Sequence, residues 1–397
     1  MHRSYIYILI EVAKRELDSR MLLATKLANK GYSVVVGEKN QILWNIISGK
    51  YPPGVIFDKC AQFVDSKRFE IVHQKGFVYT VLDEEGLITN CSYFNNHRFS
   101  KRAENFVAAN FVTGNNLNEI LLSAYPNTRN IVSGNPRYAM LLPEWRAWFK
   151  KEFDLIKNKY GSFVLIVSSF NPYPEVYKYA LKGMKEMDDK FKLLMESYLQ
   201  DNKDTGLNFV LRPHPSDQPY VYDAIQIDDR YNIIPWIIAS EYIINAKCTT
   251  SLEAFISGKR AYTWKIPTRE PAYRLANFFA DDLTELDQSL TDKLNIKRKE
   301  ILHRLLSNAD SANRAFDMIV EKLENLSFKS ALSIRKSSIH KMMHLKNKLR
   351  FVLNGDNYNR IRQKFTESDI NYAHEKVSAE CPDIKIIVTD LVMEINC

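Results

Sequence analysis

Short apolar runs alternate with stretches of helical spacing along most of this chain, a pattern that predicts parallel sheets covered by helices on both faces. Residues 5–10 read as a buried strand. Residues 17–29 carry helical spacing through Leu22, Leu23 and Leu27, Gly31 ends that helix, and residues 33–36 read as a second strand. The β-α-β opening continues through apolar runs at 54–57, 77–82, 106–113 and 130–132. Residues 141–157, with Pro143, Trp145, Trp148 and Phe149 among charges, predict a bridging helix. A second alternating series follows at 163–167, 208–211, 242–245 and 260–263, and a helical pattern over 300–323 closes it.

The predicted fold class is therefore α/β, with two Rossmann-like domains over residues 1–145 and 146–326 facing a cleft. Residues 327–397 are left as a basic helical extension and tail. In that extension Ile339, Met342, Met343, Leu349 and Leu353 form an apolar stripe, interrupted by Lys346 and flanked by Arg335, Lys336, Lys341, Lys348 and Arg350. Residues 384–388 read as one more strand.

At 397 residues the chain exceeds one typical core, and its 45% apolar content supports packed structure throughout. The net charge of +8 is unevenly placed: residues 329–364 hold ten basic side chains and one acidic. A local excess of this kind suits an anionic membrane surface, with lipid attraction the alternative to a merely solvated basic face. A nucleic-acid partner would call for basic residues spread over a groove, so none is expected. Cys60, Cys91, Cys248, Cys381 and Cys397 are odd in number, scattered and without C-x-x-C spacing, which points to a reducing compartment and away from structural zinc. His340 and His344 lie in basic surroundings without a third ligand, so no metal site is expected. No signal peptide and no apolar stretch near the roughly 18 residues of a membrane span are found, which predicts a cytoplasmic protein, peripheral at the inner face of the plasma membrane. Neither a P-loop nor a G-x-G-x-x-G occurs.

Two turns carry the candidate chemistry. Arg212-Pro213-His214-Pro215 follows an apolar strand, and the two prolines end that strand while fixing His214 between them. Arg212 can fork onto phosphate oxygens, and His214 can donate a hydrogen bond or a proton to a departing phosphate. Asp83-Glu84-Glu85-Gly86 follows the run 77–82, and three adjacent carboxylates at a strand end repel one another, a crowding that suits a general base. A solvated acidic turn is the structural alternative.

Supporting positions flank these turns. Thr249, Thr250 and Ser251 stand between a strand and a helix, where a helix N-terminus favours phosphate. Glu253 can reach a ribose, although Thr250 with Glu253 also has capping-box spacing. Ser168 and Ser169 follow the first strand of the second series. Asn135 and Arg137, in the turn starting at Gly134, and Lys14, Arg15 and Arg20, around the first strand-to-helix connection, are candidates for holding the acceptor, with a solvated helix start the alternative for the last three.

An acidic-acidic-glycine motif, a His-Pro motif and a Ser/Thr-rich turn in this order resemble the bacterial sialyl- and polysialyltransferases and the Kdo transferases of capsule synthesis. With Lys14 to Ser19, Pro52-Pro53-Gly54 and Gly134 to Arg137, residues 1–325 are closer still to the family of surface carbohydrate biosynthesis proteins. The resemblance implies a GT-B glycosyltransferase with the nucleotide-sugar donor on the second domain, the acceptor on the first, and no required metal or cofactor. It gives the catalytic carboxylate to Glu84 or Glu85, with Glu84 preferred and Asp83 competing. Leaving-group assistance falls to His214, and the phosphate grip to Arg212 and Thr249 to Ser251. The expected reaction moves an acidic sugar from a CMP-linked donor to a capsule or lipopolysaccharide glycan, free or lipid-linked, with inversion and retention both open. A CDP-glycerol or ribitol-type polyol-phosphate transferase, or a non-catalytic scaffold at a membrane surface, are the alternatives.

Overall fold

The computed structural model describes residues 5–62, 66–84, 86–87, 98–168, 184–213, 225–245, 248–266, 271–284, 291–326, 366–381, 385–389 and 392–396. It divides into two compact units, Met1–Arg137 with Arg304–Cys397, and Tyr138–His303. Residues 304–326, expected with the second half, thus belong to the first unit.

In chain order, the elements that matter begin with β1 (Tyr5–Ile10), α1 (Ala13–Ala28), β2 (Ser33–Glu38), β3 (Gly54–Asp58), β4 (Val78–Leu82), β5 (Val107–Val112) and β6 (Asn130–Val132). Next come α2 (Lys150–Tyr160), β7 (Phe163–Ser168), β8 (Asn208–Pro213), β9 (Gln226–Ile227), β10 (Ile243–Asn245), α3 (Thr250–Ile256), β11 (Ala261–Thr263) and β12 (Asp281–Asp282). The chain ends with α4 (Arg314–Glu324), α5 (Glu367–Glu380), β13 (Lys385–Thr389) and β14 (Val392–Asn396). The predicted bridging helix is observed as a 3-10 segment, Pro143–Phe149, running into α2.

The first unit is built on an eight-stranded sheet in the order β13-β14-β2-β1-β3-β4-β5-β6. From β2 to β6 the pairing is parallel, and residues 6–10 of β1 are wholly buried, which is why they read as an unbroken apolar run. The strand expected at 384–388 exists as β13. It forms a hairpin with β14, which pairs antiparallel with β2. Both α4 and α5 pack on α1. Tyr372 of α5 donates to Asp18 of α1 at 3.0 Å, and Lys26 and Lys30 of α1 pair with Asp317 and Glu324 of α4. Covered in this way, α1 buries Glu16, Asp18 and Arg20 along with its apolar residues.

The second unit has a six-stranded parallel sheet in the order β12-β11-β10-β7-β8-β9. Counted within the unit this is the dinucleotide-binding order 3-2-1-4-5-6 read from the far edge, with the order reversing between β7 and β10. In the first sheet the reversal falls between β1 and β3. Such reversals open a crevice at the carboxyl ends of the strands, where ligands of open α/β sheets bind. Among the described residues no helix is long and apolar enough to cross a membrane.

Candidate functional site

The carboxyl edge of the second sheet is organised by strand register. Val167 of β7 lies opposite Arg212 of β8 on one side and Asn245 of β10 on the other, and Ser168 pairs with Pro213. Arg212 and Asn245 therefore flank Val167 at the β7/β10 reversal, with Ser168 one residue beyond. After β10 the chain turns through Cys248 into α3, and Asn245 holds that turn by donating to the Cys248 carbonyl at 3.0 Å and to Ser251 Oγ at 2.7 Å. Thr249, the residue before α3, donates to Glu253 Oε1 at 3.1 Å. The expected Thr250–Glu253 box is replaced by this Thr249–Glu253 pair, because α3 starts at Thr250 and its preceding residue is helical rather than extended.

Arg212 is buried, and its guanidinium donates to the carbonyls of Arg230 at 2.8 Å and Tyr231 at 2.6 Å. Burial lowers its pKa to about 10, against the opposing pull of Asp229, Asp228 and Glu253. Tyr231 holds φ at 60°, a left-handed conformation rare for a bulky residue, and Arg212 is one of the groups that pin it there. Below this loop Asp228 accepts from Tyr160 at 2.7 Å, Lys159 at 3.3 Å and Arg230 at 2.6 Å. Burial alone would raise the Asp228 carboxyl, but these hydrogen bonds outweigh it and hold the group well below the ordinary carboxylate range.

That depression fixes a pH dependence. The stabilisation is complete above the ordinary carboxylate range. On acidification through and below it, the unfolded chain takes up a proton that the folded chain resists, and the stabilisation is lost. The stability gap between wild type and Asp228→Asn is expected to be widest near neutrality and to narrow toward about pH 3 in urea unfolding. A gap independent of pH would contradict this role.

At the carboxyl edge of the first sheet the described carboxylates of the acidic turn, Asp83 and Glu84, are paired. Asp83 receives a two-pronged contact from Arg98, Nε to Oδ2 at 3.0 Å and Nη2 to Oδ1 at 2.7 Å. Glu84 accepts from Arg20 Nη2 at 2.9 Å and from Asn135 Nδ2 at 3.0 Å, and Asn135 in turn accepts the amide of Arg137 at 2.9 Å. Gly134 makes this turn possible: its φ is 79°, and a side chain there would run into the Ser307 carbonyl. The Arg20 guanidinium lies 4.2 Å from the centre of the Phe57 ring. Lys59, just past β3, stands 3.3 Å from Glu11 and 3.8 Å from Glu16. Glu16 also accepts the amides of Glu11 at 2.9 Å and Val12 at 3.3 Å, and burial raises its pKa against the lowering effect of Lys59. Cys60 is pushed up to about 12 by burial and is a core thiol rather than a reactive one.

The sequence matches no family model and no curated protein sequence. Solved structures do match. The UDP-GlcNAc 2-epimerase of Methanocaldococcus jannaschii aligns with a TM-score of 0.51 at 12% identity, over 81% of this chain and 99% of that one. Another UDP-N-acetylglucosamine 2-epimerase gives 0.51 at 12% identity, over 84% of this chain and 100% of the other. A variant of the wall teichoic acid polymerase TagF gives 0.50 at 14% identity, over 81% and 89%. The fold is GT-B. At these identities the likeness concerns the fold, and the sialyl- and Kdo-transferase side of the sequence resemblance gains no support from these three structures.

On the GT-B frame, the second unit brings Ser168, Arg212, Thr249, Thr250, Ser251 and Glu253 to one sheet edge. The first unit links Glu84, Asn135 and the Arg137 amide through hydrogen bonds, and holds the adjacent Asp83 on Arg98. Lys14 and Arg15 are half-buried in the first turn of α1, which starts four residues earlier than the apolar spacing indicates. Glu85, Ser169, His214 and Pro215, and the basic segment 329–364, lie outside the described residues. The sequence reading passed over Glu11, Glu16, Lys59, Arg98 and Asn245. The available signal was the i, i+4 spacing of Glu16 and Arg20 in a helix that follows a buried strand.

Proposed function

We propose that this protein is a glycosyltransferase that moves an acidic sugar from a CMP-linked donor onto a surface-glycan acceptor. The observation that carries the reading is the second sheet: a nucleotide-binding strand order with Ser168, Asn245 and the hydroxyl-rich start of α3 at its reversal point. The three structural relatives are named for a nucleotide sugar or a cell-wall polymer, and they lend the same direction. In this reading Thr249 to Ser251 and His214 hold the departing nucleotide phosphate, and Glu253 reaches the ribose. Arg212 stands behind them, bracing the loop after β9. The donor's bond between anomeric carbon and phosphate oxygen breaks with its electron pair leaving on CMP. The acceptor oxygen forms the new bond, and its proton passes to a carboxylate of the first unit. The basic segment 329–364 suits a membrane surface that carries lipid-linked acceptor.

A second reading is favoured by the likeness to the wall teichoic acid polymerase: transfer of a polyol phosphate from a CDP-linked donor. Both reactions release CMP, so the donor consumed and the phosphate gained by the product distinguish them. The test incubates the protein with CMP-linked sugars, CDP-linked polyols and UDP-GlcNAc plus glycan acceptor. Consumption of a CMP-linked sugar is expected, with His214→Ala lowering kcat by about 10²- to 10⁴-fold in a folded protein. Phosphate transfer would select the second reading, C2 epimerisation of UDP-GlcNAc without nucleotide release would replace both, and a fully active His214→Ala would remove the proposed leaving-group role.

A further inference from the structure

We infer that the turn over Arg230, Tyr231 and Asn232 holds the base of the donor nucleotide, with the Tyr231 ring as its stacking platform; the inference rests on the nucleotide reading above. The turn follows β9 at the carboxyl edge of the second sheet, and its backbone is locked from beneath. Arg212 donates to the Arg230 carbonyl at 2.8 Å and to the Tyr231 carbonyl at 2.6 Å, and the Trp236 indole donates to the Arg230 carbonyl at 2.7 Å. Asp228 accepts the Arg230 amide at 3.0 Å, and Asn232 caps the helix Ile233–Ala239 by accepting the Ile234 amide at 2.7 Å. Within this hold Tyr231 keeps φ at 60°, a strained conformation for a bulky residue that persists only where the surroundings over-determine it and that clusters at ligand sites. Glycine would meet that φ without strain, so the geometry of the turn alone does not call for a tyrosine.

Two features aim the turn at a ligand. A trans peptide sets its N–H opposite its C=O, so the Tyr231 amide, which shares a peptide with the Arg230 carbonyl, points away from Arg212 and Trp236. Among the described residues nothing accepts from that amide. The ring beside it is half-buried, and the Arg230 guanidinium, fixed on Asp228 at 2.6 Å, lies 5.7 Å from its centre. Arg212 ties the turn to the rest of the nucleotide site. In register it lies beside Val167, which pairs on its other side with Asn245, and Asn245 donates to Ser251 at 2.7 Å. The Glu253 carboxylate acts on the same guanidinium that holds Tyr231. With phosphate at Thr249 to Ser251 and ribose at Glu253, the base therefore comes to the Arg212 side of the β7/β10 reversal, where the Tyr231 turn stands. A nucleobase suits this turn, because its π-face stacks on an aromatic ring and a ring carbonyl, O2 in a pyrimidine, accepts from the outward amide.

The test titrates CMP by calorimetry into wild type, Tyr231→Gly and Tyr231→Phe, records their melting temperatures, and locates the base in a crystal of the full chain soaked with CMP. In Tyr231→Gly the relieved backbone offsets the packing the ring gives up, so the variant should melt close to wild type. It should nevertheless bind CMP about 5- to 150-fold more weakly. Tyr231→Phe keeps the ring and should bind within about twofold of wild type. A side chain that serves only to build the turn would give the reverse, a lower melting temperature for Tyr231→Gly with CMP affinity untouched. Wild-type affinity in Tyr231→Gly overturns the inference, and so does a phenylalanine variant as weak as the glycine one. A soaked base lying away from the Tyr231 ring overturns it as well, whether or not the variants fold. Wild type that binds no nucleotide at saturating concentration overturns the nucleotide reading itself, a result distinct from nucleotide bound without regard to Tyr231.

Discussion

Replacing Glu84 with alanine is expected to cost about 3–5 kcal/mol of folding stability, which makes it the most damaging change in the first unit. The cause is the partner it abandons. Arg20 is 2% exposed, is stacked on Phe57, and has Glu84 at 2.9 Å as the carboxylate of its ion pair. Removing the carboxylate leaves a guanidinium in a low-dielectric site, and also releases Asn135 from the turn that holds the Arg137 amide. Urea unfolding should show a lower midpoint with an unchanged slope. A loss under about 1 kcal/mol, the scale of an exposed ion pair, would mean that Arg20 finds water or another anion and that the pairing is incidental.

Arg212→Ala is expected to rank second, at about 1–3 kcal/mol. It strips the Tyr231 carbonyl of its guanidinium donor, whereas the Arg230 carbonyl keeps the Trp236 indole N–H at 2.7 Å. Lysine should not rescue the site, because a single ammonium cannot reproduce the two-pronged fork. Thermal unfolding together with CMP titration separates this bracing role from direct phosphate binding. If Arg212→Ala melts with wild type and loses only nucleotide affinity, then the guanidinium grips phosphate, as the Arg-Pro-His-Pro turn suggests when read as sequence alone.

That difference shows where sequence is informative. Buried parallel strands are apolar on both faces, so β1, β3, β4, β7 and β8 announce themselves as runs, and the turns that follow them are easily placed at carboxyl ends. The partners of the polar residues in those turns have no local signature. Asp83 meets Arg98 fifteen positions later, Glu84 meets Arg20 sixty-four positions earlier, and Arg212 meets carbonyls eighteen and nineteen positions on. The return of residues 304–326 to the first unit is hidden for the same reason. α4 has an ordinary amphipathic pattern, and only Gly114 and Gly134, which admit the 304–307 backbone closely, prepare the place it returns to. Charged residues along α1 read as a solvated helix start because the helices that cover it lie nearly 300 residues or more further along the chain.

The central claim is that the second unit binds the nucleotide of an activated sugar at the β7/β10 reversal. A crystal structure of the full chain soaked in turn with CMP and CDP tests it most directly. The account predicts a nucleotide phosphate within hydrogen-bond distance of Thr249 to Ser251, beside Ser168, with the Arg212 guanidinium still on the Arg230 and Tyr231 carbonyls. A phosphate lodged at the β1/β3 reversal of the first unit, or no bound nucleotide at saturating concentration, would contradict it.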